Sequence, residues 1–224
     1  RRFMDIDISQ TTKQYVYLLS RYNEILANRN KQLKQNLPIQ ELKNIMSIWN
    51  EQLADCAEKI KKYRQNFVIS LMPYAQKVHQ YITDGKEDLV VEYVTIKEDS
   101  KQDIINKLES CLEKDVQLGY TTYGVHRDDL KVMVNGVDVR TYGSQGQQRT
   151  CALSLKLAEL SIIEDITHTR PVLLLDDVLS ELDDDRKRRL LQYCKNTQTF
   201  ITCTSFDYDV DCKKIEIKNG QIVK

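Results

Sequence analysis

The sequence predicts an α/β protein in two parts: a mainly helical arm with a small strand element over residues 1–118, and a parallel sheet with flanking helices over residues 119–224. Three patterns carry this reading. Apolar residues recur at threes and fours from Tyr15 to Phe67, the spacing of one helical face. They switch to alternation over Leu89–Ile96, the period of a strand. The back half then runs apolar strand, helix, strand, at a spacing that implies a right-handed crossover between parallel neighbours.

Taken in order, Tyr15, Leu18, Leu19, Tyr22, Ile25, Leu26 and Leu33 form the stripe of a first helix, from Thr11 to about Asn36. Pro38 stops it, because proline has no N–H and fixes its own φ. A second run, Leu42, Ile45, Trp49, Leu53, Cys56, Ile60, Tyr63 and Phe67, continues until Pro73 interrupts or kinks it, and the two helices form an antiparallel hairpin. After Asp84-Gly85 comes the strand, and then a helix capped by Ser100 that carries Ile104, Ile105, Leu108, Cys111 and Leu112. Leu130–Val134, Asn135-Gly136 and Val137–Arg140 read as a hairpin, since Asn-Gly accepts the positive φ of a two-residue turn. Tyr142–Gln148 is a polar glycine-bearing loop before a helix over Arg149–Asp165. Strand Val172–Leu175, helix Asp184–Tyr193, strand Thr199–Thr204 and a hairpin turning at Asn219-Gly220 complete the chain.

The 33 Lys+Arg and 33 Asp+Glu cancel, so the total carries no nucleic-acid signature, but they are unevenly spread. Residues 1–80 hold 13 basic against 7 acidic side chains, so the arm is the basic part. Arg21, Arg29, Lys31 and Lys34 fall mostly off the apolar stripe, where they are candidates for phosphate-backbone contact; an ordinary solvated face is the alternative. Tyr15, Tyr17 and Tyr22 are read as core rather than as base-stacking groups. Six scattered cysteines without a Cys-x-x-Cys, together with three histidines, fit free thiols in a reducing cytoplasm. No apolar run is long enough to cross a membrane. The opening at Arg1 rather than Met leads us to expect a piece of a longer chain.

Two local features could carry chemistry. Val172-Leu173-Leu174-Leu175-Asp176-Asp177 is an apolar strand ending in adjacent carboxylates, at the sheet edge where ligands of open α/β sheets gather. Magnesium with phosphate is the usual compensation for acids there, and an acidic turn is the plain alternative. Gly143-Ser144-Gln145-Gly146-Gln147-Gln148 precedes a helix whose N-terminus offers unpaired N–H groups to a phosphate. Ser144 reads equally as a simple helix cap. The run Asp183–Arg189, three acids then four bases, is a charge-matched helix start.

Together these stretches resemble the RecF family of the ABC-type ATPase superfamily, which also contains the SMC proteins. Tyr142–Thr150 resembles the signature loop, and Leu173–Asp183 resembles the Walker B strand and D-loop. Gly124–Leu130 is similar to a family stretch that usually has Pro where Val125 stands. Arg1–Asp5, Tyr22–Leu26 and Arg29-Asn30 resemble the segment opening the family's helical arm.

The resemblance implies that residues 119–224 are the C-terminal part of an ABC-type ATPase head. Asp176 would hold Mg and Asp177 would be the base or water-positioning residue, where the superfamily more often has Glu. Ser144, Gln145, Gly146 and Gln147 would reach the γ-phosphate of ATP on a second copy, with Asp183 at the same junction. Thr204 and Ser205 stand at the switch position where many relatives carry His. His126 and Arg127 are either structural or phosphate-facing, and Arg127 joins the DNA candidates. The function implied is that of a weakly ATPase, ATP-dependent dimer in DNA repair, replication and the SOS response. It would bind double-stranded DNA and single-strand/double-strand junctions and, with RecR and RecO, promote RecA loading.

G-x-x-x-x-G-K-[ST], the loop that cradles the β- and γ-phosphates, occurs nowhere in the 224 residues. The chain is therefore expected to lack the N-terminal half of the head, to bind neither ATP nor Mg alone and to show no turnover. The competing reading is a non-enzymatic module whose arm docks a protein such as RecR. An SMC-like tether is disfavoured because residues 11–83 are too short for a long coiled coil.

Overall fold

The chain opens with a helix that the apolar pattern does not announce, α1 (Arg2–Thr11), which buries Met4 and Ile8, one turn apart. The computed structural model describes residues 1–35 and 37–223; Asn36, the expected end of the first long helix, lies outside the described residues. That helix, α2 (Lys13–Leu33), is followed by α3 (Ile39–Thr83), with Pro38 at the boundary. Arg29 meets Asn50, and Tyr15 meets Arg64, a register in which one number falls as the other rises, so α2 and α3 are antiparallel. Tyr15 and Tyr22 are buried as expected, whereas Tyr17 is exposed.

Pro73 does not end α3, which runs on to Thr83. Proline forfeits only the bond to the carbonyl four residues earlier, and that residue, Ile69, is on the exposed side where water can replace the donor. Leu71 and Ala75 on either side of it are fully buried, and their packing keeps the helix continuous. The helix stops at Asp84, which takes a left-handed conformation with φ +60°.

Strand β1 (Leu89–Val94) leads to α4 (Lys101–Ser110), capped by Ser100, and to α5 (Leu112–Leu118). β2 (Asp129–Val134) and β3 (Val137–Asp138) form the expected hairpin, with Asn135 and Gly136 both at positive φ. Its second strand ends at Asp138 rather than Arg140, because the Asp138 carboxylate accepts the Thr141 amide and starts the short helix α6 (Val139–Tyr142). β1 pairs antiparallel with β2, Leu89 opposite Val134 and Val94 opposite Asp129.

The long helix α7 (Gln145–Thr167) packs along α3. Strand β4 (Leu173–Asp176), helix α8 (Asp184–Cys194) and strand β5 (Thr199–Thr202) form the anticipated crossover, with β4 and β5 parallel and Asp176 opposite Thr202. A closing hairpin, β6 (Ile217–Lys218) and β7 (Gln221–Ile222), turns at Asn219-Gly220.

One core joins α1, α2, α3, β1, β2 and the inner face of α7 through Met4, Tyr22, Ile60, Leu89, Val134 and Ala158. A second joins the end of α3 to α7, β4 and α8 through Val78, Leu157, Leu175 and Leu190. The expected division at residue 118 therefore does not separate two cores, since β1 and β2 share a sheet across it.

Where α1 meets α7, both carboxylate oxygens of Asp7 are buried without a hydrogen-bond partner, and Lys156 Nζ is 4.0 Å away. Burial, reinforced by the Glu159 carboxyl, pushes the Asp7 acid up to about 8. The folded chain thus keeps a proton that the unfolded chain releases near 3.8, so stability falls as pH rises from about 4 to about 8 and then levels off. Asp7→Asn, a neutral isostere, is expected to stabilise the chain by up to about 5 kcal/mol at pH 8, with the gain closing toward pH 4. Thermal unfolding at the two pH values measures this; equal shifts at both would show that Asp7 is ionised in the fold.

Candidate nucleotide site

Strand β4 buries Leu173 and Leu175 against the second core, which leaves Asp176 exposed at the end of the strand. Its neighbour across the ladder fixes it: the Thr202 hydroxyl donates to Asp176 Oδ1. The same Thr202 holds the next residue, because the Asp177 amide donates to its Oγ1 at 3.0 Å and to its carbonyl at 3.2 Å. Asp177 sits at φ +51°, a conformation that costs an ordinary residue on the order of 1 kcal/mol or more. Its carbonyl accepts from Ser180 Oγ at 2.8 Å, which closes the turn. Asp177, Thr204 and Ser205 line one open cleft of about 860 Å³ together with Lys187, Arg188 and Lys195. No motif marks Thr202; its register opposite Asp176 is what reveals it.

The loop before α7 is exposed at Ser144 and Gln145. Ser144 is a helix cap: its Oγ accepts the Gln147 amide at 3.2 Å, and Gln147 Oε1 accepts the Ser144 amide at 3.1 Å. This reciprocal box satisfies the third amide of the helix and leaves those of Gln145 and Gly146, which have no carbonyl a turn earlier within the helix, at its exposed positive end.

The two glycines of the loop differ. A Cβ on Gly143 would meet the Val139 carbonyl oxygen at 2.5 Å, so the chain's own backbone demands glycine there. A Cβ on Gly146 would meet nothing nearer than Arg186 Nη1 at 3.5 Å, an ordinary contact. Gly146 is also helical, where glycine is worse than alanine by roughly 0.5–1 kcal/mol. Nothing in the chain's own packing requires that glycine.

The turn before α7 and the segment leading into α8 lie side by side. Asp183 caps α8 by accepting the Arg186 amide at 2.9 Å, and Arg186 Nη1 donates to the Gly146 carbonyl at 3.2 Å. Arg149 Nε is 3.6 Å from Glu181 Oε2, a second link between the two segments. Asp184 and Asp185 occupy the first turn of α8, as the charge-matched reading expects, but Arg186 turns inward and is only 19% exposed.

No family model matches the chain. Over 231 residues and 100% of its length it is 42% identical to the DNA replication and repair protein RecF of Clostridium botulinum (strain Eklund 17B / Type B). It is 45% identical over 236 residues to RecF of Alkaliphilus oremlandii (strain OhILAs). A solved structure of the recombination mediator protein RecF with ATP in the RecFOR pathway superposes with TM-score 0.82 at 38% identity, covering 99% of this chain and 61% of that one. The corresponding RecF-ATPrS structure gives 0.81. The chain resembles RecF proteins along its whole length. It spans 63% of the length of the Clostridium botulinum RecF that it matches. The fold is accordingly α/β, a helical arm joined to a parallel strand pair with flanking helices, as the same region of the RecF structures is built.

Of the basic positions expected to meet DNA in a RecF-family protein, Arg21, Lys31, Lys34 and Arg127 are exposed, and the Arg127 guanidinium lies 5.2 Å from the Tyr120 ring centroid. Arg29 is a correction. It is fully buried, donating to Asn50 Oδ1 at 2.9 Å, Asp115 Oδ2 at 2.8 Å and Thr121 Oγ1 at 2.7 Å. Position 29 follows Tyr22 and Ile25 on the inward stripe, so its charge is neutralised by Asp115 of α5 and does not face solvent. His126 is structural too. Burial drives its imidazole down to about 4, so it is neutral at pH 7, with Nδ1 accepting from the Tyr22 hydroxyl at 2.8 Å and Nε2–H donating to the Thr121 carbonyl at 3.1 Å. Among the described residues, no cluster of three or more His, Cys, Asp or Glu could hold a metal by itself, and no helix is long and apolar enough to cross a membrane.

Proposed function

We propose that the chain is the signature and Walker B portion of an ATP-dependent dimerising DNA repair and replication protein. Residues 1–118 act as the arm and residues 119–224 as part of the ATPase head, joined through the β1–β2 sheet. Asp176 holds Mg; a lone protein carboxylate completed by nucleotide phosphates and water is the usual environment of that ion, and the exposed Asp176 fits it. Asp177 positions the attacking water, with Thr204 and Ser205 beside it at the switch position. Ser144, Gln145, Gly146, Gln147 and Asp183 meet the γ-phosphate of ATP bound to a second copy. The loop cradling the remaining phosphates comes from the part of the RecF relatives that this chain does not span. ATP is then an interfacial ligand, so its binding favours the dimer by mass action and its hydrolysis releases it. Arg21, Lys31, Lys34 and Arg127 contact the DNA backbone at gaps and junctions, and the partners are RecR, RecO and RecA. A cytoplasmic setting follows from that role.

The observation that carries this reading is Gly146: half-buried in the first turn of α7 behind the exposed Ser144 and Gln145, with no steric or conformational need for glycine within the chain, hence a close approach from outside it. Gly146→Ala is expected to leave the melting temperature of the chain unchanged or raise it by the equivalent of about 0.5–1 kcal/mol. In the full-length protein it should weaken ATP-dependent dimerisation more than 10-fold, followed by sedimentation with and without ATP. Undiminished dimerisation would remove the signature turn from the nucleotide interface.

A further inference from the structure

A closed circuit of polar groups, buried at His79, Thr150 and Ser154 and half-buried at Glu87 and Arg186, ties the arm to the signature turn. Glu87, in the link between α3 and β1, is 13% exposed; its Oε2 lies 3.1 Å from His79 Nε2 of α3 and its Oε1 accepts from Arg186 Nη2 of α8 at 3.1 Å. Arg186 Nη1 donates to Thr150 Oγ1 at 2.7 Å and to the Gly146 carbonyl at 3.2 Å, while Nε is 3.4 Å from Asp183 Oδ2. Thr150 Oγ1 donates to the Gly146 carbonyl at 2.8 Å. The circuit closes through α7: the Ser154 hydroxyl lies 2.8 Å from the Thr150 carbonyl and 3.0 Å from His79 Nδ1. Burial holds the imidazole below its ordinary value. It is therefore neutral, with Nε2–H donating to Glu87 and Nδ1 sharing the Ser154 proton with the Thr150 carbonyl.

One guanidinium thus spans the signature turn at Gly146, the D-loop cap at Asp183 and the arm at Glu87. A half-buried ion pair of this kind is a weak source of stability, since apolar groups of the same volume fill such a space at little cost or with a gain. What it does supply is geometry: a planar fork with several donors locks segments in a fixed relation that a flexible apolar chain does not.

We propose that Arg186, braced by Glu87 and through it by His79 of α3, is the positioning residue that sets the signature turn against the D-loop and links both to the arm. This rests on the nucleotide-sandwich reading of Ser144, Gly146 and Asp183. Arg186 itself touches no nucleotide; it acts through the Gly146 carbonyl and the Asp183 carboxylate.

The test compares Glu87→Met, Glu87→Gln and Arg186→Lys with the parent chain and with the same changes in the full-length protein. In the chain, amide hydrogen exchange at Gln147–Thr150, whose amides are hydrogen-bonded, is expected to accelerate at least 10-fold in Glu87→Met, with the β1 and β2 amides unchanged. Glu87→Gln restores protection, because its amide can donate to His79 Nε2 after a tautomer switch while its oxygen still accepts from Arg186. Arg186→Lys, a point charge that retains the fold, accelerates exchange in the same direction. In the full-length protein, nucleotide affinity of the monomer stays constant while ATP-dependent dimerisation weakens about 10-fold in Glu87→Met and recovers in Glu87→Gln. Unchanged exchange in both Glu87→Met and Arg186→Lys would overturn the positioning role. Dimerisation that falls in Gly146→Ala but not in Glu87→Met overturns this inference alone, whereas a parent that does not dimerise with ATP overturns the sandwich reading and this inference with it.

Discussion

Arg64→Met is expected to lower the stability of the chain by about 3–5 kcal/mol, the range seen when one partner of a buried ion pair is removed. Arg64 is 1% exposed and is the point where α1, α2, α3, the 124–128 turn and β1 meet. Its Nη1 donates to Asp128 Oδ2 and to the Val125 carbonyl, both at 2.7 Å. Nε donates to the Tyr15 hydroxyl and to Asp5 Oδ1, each at 3.0 Å, and Tyr93 donates to Asp128. Asp128 is the group that suffers when Arg64 goes. Its side chain is fully buried and its Oδ1 has no hydrogen-bond partner, and burial already holds its acid above the ordinary value. Without the guanidinium, only the Tyr93 hydroxyl would remain on Oδ2, and the carboxylate would have to take up a proton or draw in water. A domain of this size has a total stability of roughly 5–15 kcal/mol, so the variant would sit close to unfolding at 25 °C. Urea denaturation of Arg64→Met, Asp128→Asn and the double variant gives the coupling. The double variant is expected to recover a large part of the single loss, and a loss below about 1 kcal/mol for Arg64→Met would mean that the hub is solvated.

That hub marks where the sequence stops being legible. The α2–α3 hairpin, the Asn135-Gly136 turn, the Ser100 and Ser144 caps and the parallel β4–β5 pair are all readable, because each depends on spacing within one segment. So is the end of β4 as a place for two exposed carboxylates. What cannot be read depends on partners far along the chain. Arg64 and Arg29 sit on the inward stripes of their helices, yet their burial is possible only because Asp128 and Asp115 arrive from other elements. The pairing of β1 with β2 joins segments separated by α4 and α5 and carries the fold across the expected boundary at residue 118. Pro73 reads as a breaker by itself; the packing of Leu71 and Ala75 overrides it. Arg186 is hidden by its surroundings, since three acids followed by four bases describe a solvated helix start equally well until Glu87 and Gly146 are placed beside it.

Arg29→Met should be as damaging as Arg64→Met, about 3–5 kcal/mol, and for that reason it separates the arm's structural cations from its binding cations. The Asp115 carboxylate is fully buried; one oxygen accepts from the Thr122 amide and hydroxyl at 2.8 and 2.7 Å, and the other relies on Arg29 at 2.8 Å. Methionine would fill the stem's volume and leave that second oxygen without a cation, while Thr121 would keep its bond to Asn30 at 2.7 Å. Arg21, Lys31 and Lys34 are exposed, and replacing each with alanine is expected to change stability by no more than about 0.5 kcal/mol. Under the proposed function their effect falls on DNA binding. In the full-length protein, the triple alanine variant is expected to bind more weakly and to flatten the plot of log affinity against log salt by up to about 3, roughly one unit for each phosphate that is no longer neutralised. Arg29→Met, measured at a temperature where it stays folded, is expected to keep the parent slope. The reverse result, a flattened slope for Arg29→Met and an unchanged one for the triple variant, would place the DNA path on the α5 side of the arm and remove Arg21, Lys31 and Lys34 from it.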